Sequence, residues 1–427
     1  MLNVGDVYSV TIEENNIFGN GICHIDNMVV FVNGAVNGDV CKIVVTKKYP
    51  KYAYADISCL EIPSPDRIKP ECKVYEKCGG CTFSHMTLAL ENQVKESYVT
   101  SSFKKQGIDV DVEKITCPVS EKYRNKIVLF HTENGFGYNK QGTNEIVPHS
   151  TCQLNPDAFD NISAFTHKNL NTKALRALYL RKASGDGEIM VCLILYKEIN
   201  LLDYIGRLIN EFPAVTTVLT SICKDKEIVL EKLKFKKAYG DGYITDTICD
   251  VKFRISPESF YQINHTCAQL LYEKAIELAS LSEKSKCADL FCGTGTIGII
   301  SASKTGAQIF GVEIVEEAIE DAKYNARLNG IKNITLKAMD ASKFDECVDT
   351  CIIDPPRKGC LPIMLETLKR LSPNKIVYVS CNADTMARDI KELIPTYKIS
   401  SPVFVFNLFP RTSHVESVVC LKRQIQQ

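Results

Sequence analysis

Residues 289–298 read Asp289-Leu-Phe-Cys-Gly293-Thr-Gly295-Thr-Ile-Gly298, and this stretch is the strongest indication of the fold. It closes an apolar pattern typical of a strand and opens a pattern typical of a helix. Glycines at such a junction let the backbone approach a ligand closely, and the first turn of the helix offers unpaired amide donors. The stretch therefore predicts a nucleotide-binding turn between a strand and a helix.

Strand and helix patterns alternate around this turn, from about residue 251 to the C-terminus. Helical patterns such as residues 316–330 lie between most of the strands, which we predict at residues 288–293, 308–314, 334–340, 350–356, 375–381 and 404–410. This rhythm is typical of a doubly wound, mostly parallel sheet. We expect an α/β, Rossmann-like domain over residues 251–427.

The turn and the ends of the next two strands carry the candidate cofactor contacts. Glu313 ends the second strand, where a carboxylate can accept both hydroxyls of a ribose, and Asp340 ends the third, within reach of an adenine edge. The candidates within the turn are Asp289, Phe291, Gly293 and Gly295. S-adenosylmethionine and a nicotinamide dinucleotide both fit this pattern, and the spacing does not separate them.

Two further strands end in reactive groups. The fourth ends in Asp354-Pro-Pro-Arg357 and the fifth in Ser380-Cys381-Asn382. Ligands of an open parallel sheet lie beyond the carboxyl ends of its strands, so Asp354 and Cys381 should face one crevice together with the cofactor. An isolated cysteine is most often a buried core residue, but at this position Cys381 is a candidate nucleophile.

A thiol in this crevice suits methylation of carbon 5 of uracil. That carbon is too weak a nucleophile to take a methyl group from a sulfonium, whereas addition of Cys381 to carbon 6 creates a reactive enolate. A base must then remove the proton from carbon 5. Glu416 is our candidate and His414 is the rival, since histidine is the commoner general base.

Three more residues are candidates for binding the base. Gln262 can donate to the enolate oxygen, and Asp354 can accept from the ring N3–H, which would reject cytosine. Arg357 stands where amino-group methyltransferases carry an aromatic residue after two prolines, which suggests a different target atom.

The rest of the chain predicts two further domains. Residues 1–62 show short strand patterns at 7–12, 28–32, 40–45 and 52–60 with Gly and Asn between them, as in a small β-barrel. Residues 63–250 are mixed, with a helix predicted at 86–106 and strands at 126–132 and 188–196. We therefore predict a barrel over 1–62, an α+β domain over 63–250 and the Rossmann-like domain over 251–427.

The charge balance and the search for signal peptides and membrane-spanning runs bear on the partners and the cellular location of the protein. Lys plus Arg (51) equals Asp plus Glu (51), so bulk charge does not indicate a nucleic-acid partner. Local basic groups occur at Lys47, Lys48 and Lys51, at Arg181 and Lys182, and at 232–237, and each by itself is expected to be a solvated surface. The sequence shows neither a signal peptide nor a membrane-spanning run, which predicts a cytoplasmic protein.

Nineteen cysteines, scattered and odd in number, argue against a disulfide framework, and most should be buried core residues. The exception is Cys72-x5-Cys78-Gly-Gly-Cys81, with Cys152 further along. Zinc ribbons carry two C-x2-C pairs, whereas this motif contains only one, Cys78 and Cys81. Three close thiols and one remote thiol favour a 4Fe–4S cluster over zinc.

Taken together, these motifs resemble the bacterial 23S rRNA (uracil-5-)-methyltransferases, the group with an N-terminal TRAM barrel and an iron–sulfur cluster. The resemblance covers nearly the whole chain. It rests on the Tyr54-Ala-Asp-Ile end of the barrel, the cysteine motif with Cys152, F-x-Q-x-N at 260–264, D-L-F-C-G at 289–293, D-P-P-R at 354–357, S-C-N at 380–382 and H-V-E at 414–416.

The resemblance implies a class I methyltransferase domain that uses S-adenosylmethionine, Cys381 as nucleophile and Glu416 as base. It places Gln262, Glu313 and Asp354 among the cofactor and uracil contacts. It also implies a 4Fe–4S cluster rather than zinc, held by Cys72, Cys78, Cys81 and Cys152. Because the tRNA-specific relatives are expected to lack both barrel and cluster, 23S rRNA is the favoured substrate, and no obligate protein partner is implied.

The sequence departs from the family pattern at two positions and leaves two alternatives open. Ala383 replaces the usual proline after S-C-N, and Asn407 stands where aspartate often precedes the F-P pair. Neither change removes a reacting group. The alternatives are the same chemistry on tRNA and a non-catalytic RNA-binding protein whose cluster senses oxidants or iron.

Overall fold

The computed structural model describes residues 2–170 and 173–424, without the side chain of residue 231. The N-terminal region is β-rich, as predicted, and forms a six-stranded sheet in the order β1-β5-β6-β4-β3-β2. The strands are β1 (Val7–Thr11), β2 (Glu14–Asn15), β3 (Gly21–Ile25), β4 (Met28–Asn33), β5 (Val40–Lys48) and β6 (Tyr52–Ile62). The predicted patterns correspond to β1, β4, β5 and β6. β2 and β3 are not predicted, because β2 has only two residues and β3 begins with glycine.

The second sheet has seven strands in the order β13-β12-β11-β10-β7-β8-β9. Helix α1 (Leu88–Lys105) precedes it, close to the predicted limits of 86–106. The other elements of this part are β7 (Lys126–Thr132), β8 (Gly135–Asn139), β9 (Ile146–Pro148), α2 (Asp157–Asn169), β10 (Leu175–Lys182), β11 (Ile189–Leu195), α3 (Leu202–Glu211), β12 (Val215–Ile222), a 3₁₀ turn (Leu230–Lys232) and β13 (Lys236–Tyr239).

A hairpin joins the second sheet to the last part of the chain. It consists of β14 (Ile244–Ile248) and β15 (Val251–Ile255), paired in antiparallel register. Cys249 and Asp250 form its turn, both with positive φ. The boundary that we predict at residue 250 falls within this turn, so the three-domain division remains a prediction.

The last sheet is doubly wound and mostly parallel, as predicted, in the order β18-β17-β16-β19-β20-β23-β21, with β22 also paired to β23. β23 is antiparallel to its neighbours, and β21 and β23 are two strands beyond those that we predict. The elements are α4 (His265–Ala279), β16 (Lys286–Leu290), α5 (Thr296–Thr305), β17 (Gln308–Glu313), α6 (Glu316–Leu328), β18 (Ile334–Ala338), a 3₁₀ turn (Ala341–Lys343), β19 (Thr350–Ile353), α7 (Pro362–Leu371), β20 (Lys375–Ser380), α8 (Ala383–Leu393), β21 (Tyr397–Ile399), β22 (Phe404–Phe406) and β23 (Glu416–Arg423).

Apolar side chains cover both faces of this sheet. Alternate residues of β16 point to opposite faces, so Cys287 joins the core beneath α4 and α5 while Ala288 joins the core beneath α7 and α8. Helix α1 packs on the second of these faces through Val99 and Phe103, although its sequence position is in the predicted central domain. No helix in the described part of the chain is long and apolar enough to cross a membrane.

Candidate active site

The turn after β16 has the geometry of a ligand-binding loop. Phe291 has φ +68° and donates its backbone N–H to the carbonyl of Val312 at 2.9 Å. Gly295, at φ +80°, caps helix α5, and a Cβ there would lie only 3.0 Å from side-chain atoms of Ala322 and Ile299. Glycine is therefore required at this position, and the N-terminus of α5 remains open to a ligand.

Asp289 stabilises the turn by a hydrogen bond to the first turn of α5. It is buried, and its carboxylate accepts the N–H of Gly298 at 2.8 Å. A Cβ at Gly298 would lie 2.8 Å from the same carboxylate oxygen, so a larger residue there would displace the Asp289 carboxylate. Burial raises the pKa of Asp289 to about 7. This contact positions the turn, while a direct contact of Asp289 with cofactor remains a prediction.

Glu313 organises the end of β17. One carboxylate oxygen accepts the N–H of Gly293 at 3.2 Å, and the other accepts the N–H groups of Ile314 and Val315 at 2.8 and 3.1 Å. The carboxylate therefore links two loops and stays half-buried. Asp340 is exposed and caps the 3₁₀ turn that follows β18, and this hydrogen bond from the N–H of Ser342 lowers its pKa.

The strand register places Cys381 opposite Glu416. Ser380 pairs with Ser417 in the antiparallel ladder between β20 and β23, so the next residues outward are Cys381 and Glu416. Directly opposite residues of such a pair have Cα atoms about 4.5–5.5 Å apart. Burial raises the pKa of the Cys381 thiol to about 12, and the carboxyl groups of Glu416 and Asp354 contribute to this rise.

Asp354 lies at the end of β19, directly after Ile353, the residue that pairs with Leu290. Its side chain reaches solvent only in part, and burial raises its pKa to about 7. Burial also raises the pKa of Glu416 well above its usual value, and Asp354 adds to that shift. The crevice thus holds two carboxyl groups and one thiol that resist ionisation because protein surrounds them.

Arg357 is the cation beside this group. It opposes the upward pKa shifts of both Cys381 and Glu416, and its guanidinium lies 3.2 Å from Nδ1 of His414. Burial and Arg357 together lower the pKa of His414. The backbone carbonyl of Arg357 accepts the side-chain N–H of Asn382 at 3.0 Å, which ties the D-P-P-R loop to the S-C-N turn.

Gln262 lies on a separate loop before α4, and its backbone carbonyl accepts the side-chain N–H of Asn125 at 2.9 Å. Its side-chain amide makes no hydrogen bond with the described residues. Arg181 holds the same loop through the carbonyls of Ser259 and Tyr261, at 2.7 and 3.3 Å. The prediction that Arg181 belongs to a solvated basic surface is therefore wrong, because these carbonyls draw its guanidinium fully into the core.

Comparison with known proteins gives the family. Residues 2–58 match the TRAM domain and residues 281–401 match a methyltransferase domain. The chain is 32% identical to an uncharacterized RNA methyltransferase of Halalkalibacterium halodurans, over 99% of this chain and 98% of that protein. It is 31% identical to one of Listeria innocua with the same coverage. The chain belongs to the RNA methyltransferases.

The same family relationship extends to a solved structure. This RNA methyltransferase resembles the tRNA (uracil-54, C5)-methyltransferase of Pyrococcus abyssi, crystallised with S-adenosyl-L-homocysteine, with 28% identity and a TM-score of 0.78. The likeness covers 97% of this chain and 100% of that one. It confirms the class I methyltransferase fold and supports S-adenosylmethionine over a nicotinamide dinucleotide. It also contradicts our expectation that tRNA-specific relatives lack the N-terminal barrel, since this tRNA enzyme aligns across almost the full chain, including the N-terminal region.

The four predicted cluster cysteines of the RNA methyltransferase lie in one neighbourhood. The pKa of Cys81 is raised to about 11, chiefly by burial, with contributions from Cys152 and Cys78, and Cys72 acts similarly on Cys78. The buried guanidinium of Arg124 counters these shifts. However, no three His, Cys, Asp or Glu side chains in residues 2–170 and 173–424 are arranged to hold a metal ion.

Two residues near the crevice of this RNA methyltransferase are not among the predicted site residues. Tyr272 of α4 is buried, and after burial the carboxyl groups of Asp354 and Glu416 contribute most to raising its pKa. Its position in an apolar helical pattern gives no signal of this. Asn382 was noted only as part of a motif, although it accepts the N–H of Asp384 as the N-cap of α8. An asparagine directly before a helical pattern is a signal that could have shown this role.

Proposed function

We propose that this enzyme methylates carbon 5 of a uridine in RNA, with Cys381 as covalent nucleophile and Glu416 as base. The observation that carries the proposal is the position of Cys381 opposite Glu416 at the end of the β20–β23 ladder, beside Asp354. A nucleophile and a carboxylate that face each other across a crevice fit a reaction in which one adds to the ring and the other removes a proton.

In the first step the Cys381 thiol gives up its proton to water, and the thiolate adds to carbon 6 of uracil, which places the negative charge on the enolate oxygen. At rest the thiol is protonated, because burial and the neighbouring carboxyl groups raise its pKa to about 12. Arg357 is the group that favours the thiolate. Entry of the base between these side chains excludes water from the crevice, so the charge of Arg357 acts more strongly there.

When bound, S-adenosylmethionine would supply an electrophilic methyl group to carbon 5, with its sulfur as the leaving group. The Gly293–Gly295 turn and Glu313 are the groups that would hold its nucleoside part. Glu416 then takes the proton from carbon 5, and the electron pair of that C–H bond expels the Cys381 thiolate from carbon 6. Glu416 must be ionised when it takes this proton, and burial, which raises its pKa, makes the ionised carboxylate a stronger base.

We assign the proton on carbon 5 to Glu416 rather than to His414. His414 lies against the guanidinium of Arg357 at 3.2 Å and packs edge-on against Phe409. Because a guanidinium can only donate, Nδ1 of His414 accepts from Arg357 and Nε2 of the neutral ring carries the proton, which leaves no free lone pair for the proton on carbon 5. Glu416 instead faces the thiol.

We further propose that Asp354 accepts the N3–H of uracil and that Gln262 donates to the enolate oxygen. Asp354 accepts no hydrogen bond from any residue that the structure describes, and the amide of Gln262 is equally unengaged. Both groups therefore have their hydrogen-bonding capacity available for a base.

For the RNA itself, 23S rRNA remains our first candidate, on the motifs of the chain. A specific observation favours tRNA as the second, because the P. abyssi tRNA enzyme aligns over 97% of this chain. In vitro methylation of unmodified 23S rRNA and of unmodified tRNA, compared at equal concentration, separates the two. Incorporation into tRNA alone would reject the ribosomal assignment.

The test of the mechanism is trapping on RNA that contains 5-fluorouridine, because carbon 5 then carries no proton for Glu416 to remove. We expect a stable protein–RNA adduct on Cys381, located by mass spectrometry. Cys381→Ala should form none, whereas Cys347→Ala, which removes an exposed thiol of the same domain, should behave like the wild type. An adduct on another side chain, or none from an active preparation, contradicts the mechanism.

We also propose that Cys72, Cys78, Cys81 and Cys152 bind a 4Fe–4S cluster with a structural role. Each cysteine of such a cluster binds a different iron, so the four sulfurs spread more widely than around one ion, and Arg124 would offset the negative charge. Anaerobic purification should give about four iron atoms per chain. Stoichiometric zinc without iron would refute the cluster.

A further inference from the structure

The loop that carries Arg357 lies directly on helix α8, which begins just after Cys381. The backbone carbonyl of Lys358 accepts an N–H of the Arg388 guanidinium at 2.9 Å, two turns into that helix. The same nitrogen of Arg388 also donates to the carbonyl of Cys360 at 3.4 Å. One arginine of α8 therefore holds the backbone that follows Arg357.

Asp389 holds the same backbone from inside the protein. It is fully buried, and its Oδ2 accepts the N–H of Cys360 and the O–H of Tyr378, both at 2.7 Å. Its Oδ1 accepts two N–H groups of Arg388, at 2.9 and 2.7 Å. Because both oxygens of this buried carboxylate are engaged, the side chain has a single well-defined position between the loop and the helix.

Gly359 shows how closely the loop approaches the helix. It has φ +75°, a conformation that favours glycine. A Cβ there would lie 2.6 Å from a guanidinium nitrogen of Arg388 and 2.6 Å from a carboxylate oxygen of Asp389. A larger residue at this position would therefore displace these two side chains from the loop backbone.

Helix α8 also positions the proposed nucleophile. Strand β20 ends at Ser380 and α8 begins at Ala383, so Cys381 lies at the junction between them. The N-cap of the helix, Asn382, donates its side-chain N–H to the carbonyl of Arg357 at 3.0 Å. One helix thus has the thiol at its start and the loop bound along its first two turns. A shift of the loop on this helix would move the guanidinium relative to the thiol.

The guanidinium of Arg357 depends on its backbone for its position. The side chain is exposed, and among the described residues it hydrogen-bonds to His414 alone, at 3.2 Å. A long exposed side chain with one partner has many rotamers available, so its location is set mainly by where the loop lies. The contacts that fix the loop therefore determine whether this cation stays beside Cys381.

We propose that Arg388 and Asp389 are positioning residues of this enzyme, which hold the guanidinium of Arg357 beside the thiol of Cys381. Both bind backbone on the far side of Arg357 and act through it, since Arg357 is the cation that favours the thiolate. This inference rests on the proposed function, in which that thiolate adds to carbon 6 of uracil.

The test is the rate at which iodoacetamide alkylates Cys381 in the full-length protein at pH 8, resolved by mass spectrometry. Arg388→Gln and Asp389→Asn should each slow alkylation by about two- to tenfold, as expected when Arg357 itself is removed. Residues that only stabilised the fold would act in the opposite direction, because a loosened crevice exposes the thiol. Arg388 is exposed, so Arg388→Gln should fold even if Asp389→Asn does not. An unchanged or faster rate in Arg388→Gln overturns the proposal.

A second measurement asks whether Arg388 acts through Arg357. The double variant Arg357→Gln/Arg388→Gln should be alkylated no more slowly than Arg357→Gln, because a cation that is absent cannot be misplaced. Arg388→Lys should retain part of the wild-type rate, since an ammonium can still donate to the carbonyl of Lys358. Effects that multiply in the double variant would mean that Arg388 acts on the thiol by its own charge, which contradicts a positioning role.

Arg370 of the neighbouring helix α7 provides the matched control. It is also exposed and donates to a backbone carbonyl, that of Phe344, at 2.7 Å. Arg370→Gln should be alkylated at the wild-type rate, and equal slowing in this variant would overturn the proposal. Alkylation requires neither RNA nor methyl donor. Variants alkylated as predicted, together with a wild type that never forms the 5-fluorouridine adduct, would therefore refute the proposed reaction alone.

Discussion

The ammonium of Lys95 lies 2.7 Å from Oδ1 of Asn407, although 312 residues separate the two in the chain. Both side chains are fully buried. Lys95 also donates to Glu91 at 2.9 Å and to the carbonyl of Phe409 at 3.2 Å, and Glu91 accepts the N–H of Arg411. Helix α1 therefore fixes the loop between β22 and β23 that leads to Glu416.

Replacing Lys95 should destabilise the protein strongly. Lys95→Met leaves the buried carboxylate of Glu91 without its closest cation, and the removal of one partner of a buried ion pair costs about 3–5 kcal/mol. We expect that loss in the free energy of unfolding, measured by urea titration, together with slower methylation, because the loop before Glu416 loses two hydrogen bonds, at Asn407 and Phe409.

The same helix offers a matched control. Lys105 is exposed and lies 3.6 Å from the exposed carboxylate of Asp384. Lys105→Met should change the unfolding free energy by less than about 1 kcal/mol. Equal losses in the two variants would mean that the buried network has no special role in stability.

The rate at which Cys381 is alkylated should depend on the neighbouring cation, Arg357. Arg357→Gln removes the group that lowers the pKa of this thiol, so alkylation by iodoacetamide at pH 8 should slow by about two- to tenfold. Arg357→Lys should retain most of the rate, and Asp354→Asn should increase it, because Asp354 raises that pKa. Mass spectrometry resolves the sites, with the exposed Cys59 and Cys347 as internal standards. Identical rates in all four proteins would contradict the charge arrangement.

The sequence predicted what depends on local patterns. The glycines of 293–298 and the strand ends at Glu313, Asp354 and Cys381 follow from periodicity and turn residues, and the structure places them at one edge of a parallel sheet. What the sequence could not provide are pairings between distant segments. Neither the packing of α1 on the last sheet nor the burial of Arg181 has a local signature, because both depend on which carbonyls and apolar faces meet after folding.

Stability should depend on pH through Asp354. Its pKa is about 7 in the folded protein, against an ordinary value of 3.8, so between those values the folded state binds the proton more tightly than the unfolded state. Stability therefore falls as pH rises through this window, and the full penalty is present above pH 7. Asp354→Asn should be more stable than the wild type at pH 8, by up to about 4 kcal/mol, and the difference should vanish near pH 4.

Asp340 provides the contrast for that measurement. Its pKa is lowered by the hydrogen bond from Ser342, so Asp340→Asn should remove a stabilising contact that is present above the ordinary pKa and lost in acid. The two variants should shift the thermal midpoint at pH 8 in opposite directions. A lower midpoint for Asp354→Asn at pH 8 would show that its carboxylate is stabilised in the fold.

Removing the proposed base should stop the reaction after methyl transfer. In Glu416→Gln the thiolate can still add and the methyl group can still reach carbon 5, but the carbon 5 proton has no acceptor. The enzyme should therefore accumulate a methylated covalent complex on ordinary uridine RNA. Turnover should fall about 10²- to 10⁴-fold, the usual contribution of a general base.

His414, the alternative candidate for the base, provides the control for the Glu416→Gln experiment. His414→Gln removes an imidazole that lies against Arg357 and leaves Glu416 opposite Cys381, so turnover should continue and no complex should accumulate. Denaturing gels with a radiolabelled methyl donor distinguish the two variants, because only a covalent complex keeps label on the protein band. Accumulation in His414→Gln and free turnover in Glu416→Gln would reverse the assignment. Glu416 would then act on the thiol alone, through the charge that helps to keep it protonated.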